Sequence, residues 1–158
     1  MRRARGQSIL YVVLLMPTLI LVFSLTVEVA QLQMQRLRLS YAADLATVSG
    51  ATSVDAAYYS QTGRLRLDHD AALAVTRTYL DRNLVAALGS NQAALVAAAA
   101  DITVINDTPR SDPYTGGRLG RPSICARIHV PYRFSLLGFV GSVGGGHLTL
   151  SAHAEIRP

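Results

Sequence analysis

From Ile9 to Val27 the chain runs ILYVVLLMPTLILVFSLTV without one charged side chain. That length falls within the ~17–25 residues a helix needs to cross a bilayer. A segment in lipid must satisfy its own backbone hydrogen bonds, so the run predicts a transmembrane helix. Pro17 removes a backbone donor midway and predicts a kink, which membrane helices tolerate. Arg2, Arg3 and Arg5 precede the run and Glu28 closes it, an arrangement that favours an N-terminus in the cytoplasm and export of the rest. A cleaved signal peptide has a shorter apolar core, of ~7–15 residues, and the best small-x-small site here is the weak Ser24-Leu25-Thr26. The run reads as a retained single-pass anchor.

The helical pattern does not stop at Glu28. Val27, Met34, Tyr41 and Val48 recur every seven residues, and Ala30, Leu37 and Leu45 fill the same side. One helix is predicted from about Ser8 to Ala51, on the order of 65 Å long at ~1.5 Å per residue. Its first half lies in lipid, and its second half is expected to offer this stripe to a domain. Gly50 and the Ala51-Thr52-Ser53 that follow supply the stop.

A second helix opens at Asp68 or Asp70, shows Leu73, Thr76, Leu80, Leu84 and Leu88 on one face, and stops at Gly89. A short helix follows over 91–99. From Asp101 the period changes to two: Ile102 and Val104 open a strand, and 107–122, rich in Pro, Gly, Asp and Arg, reads as a surface loop. Ile124, Ala126, Ile128, Val130, Tyr132 and Phe134 then alternate with Cys125, Arg127, His129, Pro131 and Arg133. Leu148, Leu150, Ala152, Ala154 and Ile156 alternate likewise with polar neighbours. Such alternation predicts an antiparallel sheet with one apolar and one wet face, the apolar face covered by the upstream helices. Pro131 suggests that its strand is at an edge or bulged. Between the last two strands, Leu136, Leu137, Phe139 and Val140 form an unusually apolar connection, tucked inward or presented to a partner. The expected fold is α+β. A basic tail (1–8), a transmembrane helix (9–28) and its exported extension (29–52) lead into one small α+β domain (53–158).

Charge changes this picture little. The net charge of +5 falls to +2 once the three N-terminal arginines are removed (5 − 3), so the remainder has no strong nucleic-acid footprint. The single cysteine, Cys125, excludes a disulfide within the chain and is expected to be buried.

Few residues suggest chemistry. Gly141-Ser142-Val143-Gly144 resembles part of a nucleophile elbow, but Val140 stands where that motif needs its first glycine. There is no phosphate loop and no HExxH helix. His129 and His153 fall on wet strand faces and would need further ligands to hold a metal. Asp107 and Asp112 could bind calcium, but aspartates in a Pro/Gly loop more often make turns. No catalytic, cofactor or metal site is expected. Glu28 either marks the membrane edge or pairs with a cation on a neighbouring subunit.

Several segments together resemble the TadE/TadG-like proteins of Flp (Tad) pilus assembly systems. They are Arg5-Gly6-Gln7 before the anchor, Pro17 within it, Glu28 at its end, and Tyr41-Ala42-Ala43-Asp44-Leu45-Ala46-Thr47-Val48-Ser49-Gly50-Ala51 beyond. The resemblance implies a non-enzymatic, pilin-like structural protein in the cytoplasmic membrane, its C-terminal domain in the periplasm or at the cell surface. Its partners would be other pilins or pseudopilins, pilus-assembly membrane proteins and the lipid bilayer, with no nucleic acid and no small-molecule substrate. Glu28, Met34, Leu37 and Tyr41 become candidate assembly residues, and Gly6-Gln7 the candidate cleavage position. Cleaved prepilins carry glutamate five positions after that glycine, and here Tyr11 stands there, which favours an uncleaved, membrane-resident component. The alternative is a stand-alone anchored binding module or adhesin.

Overall fold

The computed structural model describes residues 4–132 and 146–156, with side chains described from residue 11 onward. The candidate partner loop Leu136, Leu137, Phe139 and Val140, and the elbow-like Gly141 to Gly144, lie outside the described residues. The chain is α+β: four helices precede a small sheet. By contacts it forms two units, one of 1–34 with 132–146, the other of 35–131 with 147–158.

Helix α1 (Ala4–Ala51) belongs to both units and is continuous through Pro17. In the first unit its large apolar side chains from Tyr11 to Leu25 are exposed. Thr18 and Thr26 donate their hydroxyls to the Leu14 and Val22 carbonyls one turn back, at 3.2 and 2.9 Å. These two hydroxyls thus find partners on their own helix, as an apolar surround requires. This is the one helix among the described residues long and apolar enough to cross a membrane.

In the second unit α2 (Ala56–Thr62) starts on Asp55, whose carboxylate accepts from Tyr58 N at 2.9 Å. Helix α3 (His69–Leu88) starts on Asp68, which accepts from Ala71 N at 3.1 Å. It ends at Gly89, whose φ of 78° suits a residue without a Cβ and turns the chain directly into α4 (Ser90–Ala98). Strands β1 (Asp101–Ile105), β4 (Ser123–Tyr132) and β5 (Gly146–Glu155) form a sheet in the order β1-β4-β5. β1 runs antiparallel to β4, from Asp101↔Arg127 to Ile105↔Ser123. Ile128, Val130, Leu150 and Ala152 bury their side chains against Leu39, Ala42, Ala43, Ala46, Leu80 and Leu84, as the alternation predicts.

Three expectations change. The strand carrying Pro131 is the central one, but β1 pairs only as far as Arg127, so the missing N–H of Pro131 lies beyond the β1 ladder. The 107–122 loop is not merely surface. It contains the short hairpin of β2 (Arg110–Ser111) and β3 (Arg118–Leu119) and buries Leu119 with Ile105 and Cys125. The sheet's outer face is therefore wet only in part. The third change concerns α1.

Candidate assembly surface

The expected stripe does not face the domain. Within the second unit α1 buries Leu39, Ala42, Ala43, Ala46, Thr47 and Gly50, mostly small residues. Leu37 (67% exposed), Tyr41 (66%), Val48 (55%) and Leu45 point to solvent, and Met34, earlier on the helix, is exposed as well. The reason is close approach. A Cβ added to Gly50 would overlap Thr76 Oγ1 of α3 and stand 3.2 Å from the Ala72 carbonyl and 3.1 Å from Ile124 Cδ1. Helices this close need small side chains at the contact, so the large ones are left on the opposite face. The apolar period marked the wrong face, because size, not hydrophobicity, selected the buried one.

In the first unit Glu28 is 0% exposed, and its Oε1 accepts a hydrogen bond from Tyr132 Oη at 3.4 Å. Burial first, then the Glu28 carboxylate it donates to, raise the Tyr132 phenol above its ordinary pKa. The carboxylate is thus engaged inside its own chain. Gly6 and Gln7 lie within the first turns of α1.

The outer sheet face carries a second cluster. Asp112 is buried and accepts from the Tyr114 and Thr115 amides (2.8 and 3.3 Å) and the Thr115 hydroxyl (2.6 Å). His153 Nδ1 stands 3.5 Å from Asp112 Oδ2, the oxygen that also accepts from the Thr115 hydroxyl. Burial is the largest influence on Asp112 and raises its pKa, yet these hydrogen bonds and His153 together hold it below the ordinary carboxylate value. The Cys125 thiol, desolvated and beside the Asp112 carboxylate, is pushed up to about 12. A Cys and a His thus each adjoin the Asp112 carboxylate, and the raised thiol is the reverse of an activated nucleophile. Asp112 is the turn-maker the loop composition implied.

His129 and His153 do not converge: His129 contacts Thr149 Oγ1 at 3.1 Å and Asp101 at 3.9 Å, whereas His153 turns to Asp112. Among the described residues no three His, Cys, Asp or Glu side chains are grouped to hold a metal. Arg127, expected on the wet face, is half-buried. Its guanidinium lies 4.5 Å from the Tyr114 ring and donates to the Tyr114 carbonyl at 3.0 Å. An open groove of about 760 Å³ is lined by Val48, Ala51, Val54, Arg121, His153 and Glu155. Glu155 is already occupied by the Gly120 amide at 2.9 Å and His153 by Asp112, so its rim offers no free catalytic pair.

The dominant exposed feature is therefore the apolar surface of α1. Residues 6–53, about the first third of the chain, match the family model described as "Putative Flp pilus-assembly TadE/G-like". No curated protein and no solved structure matches the chain. The matched segment holds the apolar helix, its exposed stripe and the small-residue face on which the domain packs. Over that segment the chain is similar to the TadE/G-like family, which is described as putative in Flp pilus assembly.

Proposed function

We propose that the chain is a single-pass, membrane-anchored, pilin-like structural component of an Flp/Tad-type pilus assembly or secretion apparatus. Residues 9–28 span the cytoplasmic membrane, the arginine tail stays in the cytoplasm, and 53–158 form the exported domain. The observation that carries this reading is the exposed stripe Leu37, Tyr41, Leu45 and Val48, with Met34 before it. A protein using its helix only as a stalk has no need to leave such side chains in water, and a contiguous apolar patch of this kind marks an interaction site. The partners are pilins or pilus-assembly membrane proteins with similar helices. Glu28 contributes indirectly, through its bond to Tyr132. The chain acts without catalysis.

The test is photo-crosslinking in cells, with benzophenone side chains placed at Leu37 and Tyr41 and, as a control, at exposed Arg77 on α3. The stripe positions should capture pilin-like or pilus-assembly membrane proteins and Arg77 should not. Equal capture at all three positions, or none at Leu37 and Tyr41, sinks the reading.

A further inference from the structure

Between α2 and α3 the chain reads Arg64-Leu65-Arg66-Leu67, charge alternating with leucine. Leu67 is buried with Ala51 and Ile124, and Leu65 packs against them, while Arg64 and Arg66 are exposed. Alternate side chains of an extended segment share a face, so the two arginines point outward together, about 7 Å apart at ~3.3–3.4 Å per residue. Their backbone is held on both sides. The Arg66 carbonyl accepts from the Asp55 amide at 2.9 Å, and Asn106 accepts from the Leu67 amide at 2.8 Å and donates to its carbonyl at 3.1 Å. The Arg66 guanidinium also lies 5.2 Å from the Tyr58 ring of α2, a contact that restrains it without using its N–H groups. Among the described residues neither guanidinium takes part in an ion pair or a hydrogen bond. The adjoining acids, Asp55 and Asp68, accept from the first-turn amides of α2 and α3 instead.

Arg64 and Arg66 line an open groove of about 620 Å³ together with Tyr58, Asp107, Thr108 and Pro122. From this arrangement we infer that the groove docks an extended acidic segment of a partner protein, with two carboxylates at alternate positions, one for each arginine. Side chains two apart in an extended peptide repeat at the same ~7 Å, so each guanidinium can take one carboxylate through its fork. A polyphosphate chain fits less well. It offers acceptors alone, and the exposed Asp107 in the same groove repels it, whereas a peptide brings backbone N–H groups from which that carboxylate can accept. The net charge of +2 beyond the N-terminal arginines (5 − 3) also gives no broad field of the kind that gathers a polyanion. The ion pairs are solvent-exposed, so the contact is weak, sensitive to salt and selective for spacing. The groove contains no residue of α1 and stands whether or not the stripe serves assembly.

The test titrates the detergent-solubilised full chain with fluorescein-labelled peptides at low salt and reads anisotropy. The probe is a short peptide rich in Thr and Val with two glutamates separated by one residue. Its controls carry the same glutamates side by side, or glutamine at both places. The spaced peptide should bind at least about fivefold more tightly than either control, and high salt should abolish the difference. Arg64→Gln and Arg66→Gln should each weaken it by at least about fivefold. Arg66→Lys, which keeps the charge and loses the fork, should weaken it several-fold, and Arg77→Gln on α3 should leave it unchanged. The arginines are exposed, so the variants should melt with the parent; if loss of the Tyr58 contact unsettles Arg66→Gln, Arg64→Gln decides alone. No binding of the spaced peptide, equal binding of all three peptides, tighter binding of polyphosphate, or an equal loss in Arg77→Gln overturns the proposal.

Discussion

Replacing Gly50 with alanine tests whether the small-residue face of α1 is what joins it to α3. In an exposed helix interior this change is stabilising by about 1 kcal/mol, because alanine loses less backbone freedom on folding than glycine. Here the new methyl overlaps the Thr76 hydroxyl, which itself donates to the Ala72 carbonyl at 2.8 Å. Rotating the threonine gives up that hydrogen bond, and the Ala72 carbonyl 3.2 Å away is backbone and cannot swing aside. Separating two packed helices or forcing an off-rotamer side chain costs about 1–3 kcal/mol, and a direct overlap belongs at the upper end. The net expectation is a loss of about 1–2 kcal/mol, at roughly 4–8 °C in Tm per kcal/mol for a domain of about 100 residues. Thermal unfolding of the detergent-solubilised chain, followed by circular dichroism, reads it directly. The companion variant Thr76→Ala removes the obstructing atoms, so the pair Gly50→Ala/Thr76→Ala should be markedly more stable than the sum of the singles, with a coupling of about 1–2 kcal/mol. An alanine at 50 that stabilises the protein, or a strictly additive pair, refutes the close-approach argument.

The remaining predictions need less. Ile128→Asp places an unpaired charge in the centre of the core and should cost at least about 3 kcal/mol, whereas Thr149→Asp on the exposed face should stay within about 0.5 kcal/mol in the same melts; equal losses contradict the strand register. Asp112 has a folded pKa below its unfolded value, so its contribution is complete above the unfolded pKa of ~3.9 and is lost as pH falls through the lower folded value. Asp112→Asn should therefore lower stability at pH 7 and flatten its decline between pH 5 and 2, and an unchanged acid limb in urea titrations would count against the cluster. Glu28→Ala removes the acceptor of Tyr132 Oη and should cost about 1 kcal/mol or more, without preventing membrane insertion measured by carbonate extraction. The Cys125 thiol, buried and raised to about 12, should react with maleimide at pH 7.5 at least a hundredfold more slowly in the folded chain than in guanidinium.

Much of the architecture was readable before any coordinates. The charge-free run and the seven-residue period located α1 almost to its end. Asp68 and Gly89 bounded α3 because capping is a local hydrogen-bonding event decided by neighbouring residues. The period-two alternation placed Ile128, Val130, Leu150 and Ala152 on the inner face of the sheet, since a strand's side chains alternate whatever lies around it. The Met34, Leu37 and Tyr41 stripe was visible too, as a repeat along the helix.

What it faces was not visible. Hydrophobic period reports that a helix has two sides, but it cannot say which side a given neighbour approaches. That choice was made by the distance between α1 and α3, which only Gly50, Thr76 and Ala72 meeting in three dimensions can set. Tyr132 and Glu28 are 104 residues apart in sequence, and no local pattern could have joined them. Asp112, Cys125 and His153 come from a loop and two strands, and no local pattern announced that they would be neighbours. The sequence by itself determined the elements, because they depend on contacts three or four residues away. Only the tertiary structure decided which face of α1 was covered and which was left exposed, because that depends on side-chain size at contacts between residues remote in the chain.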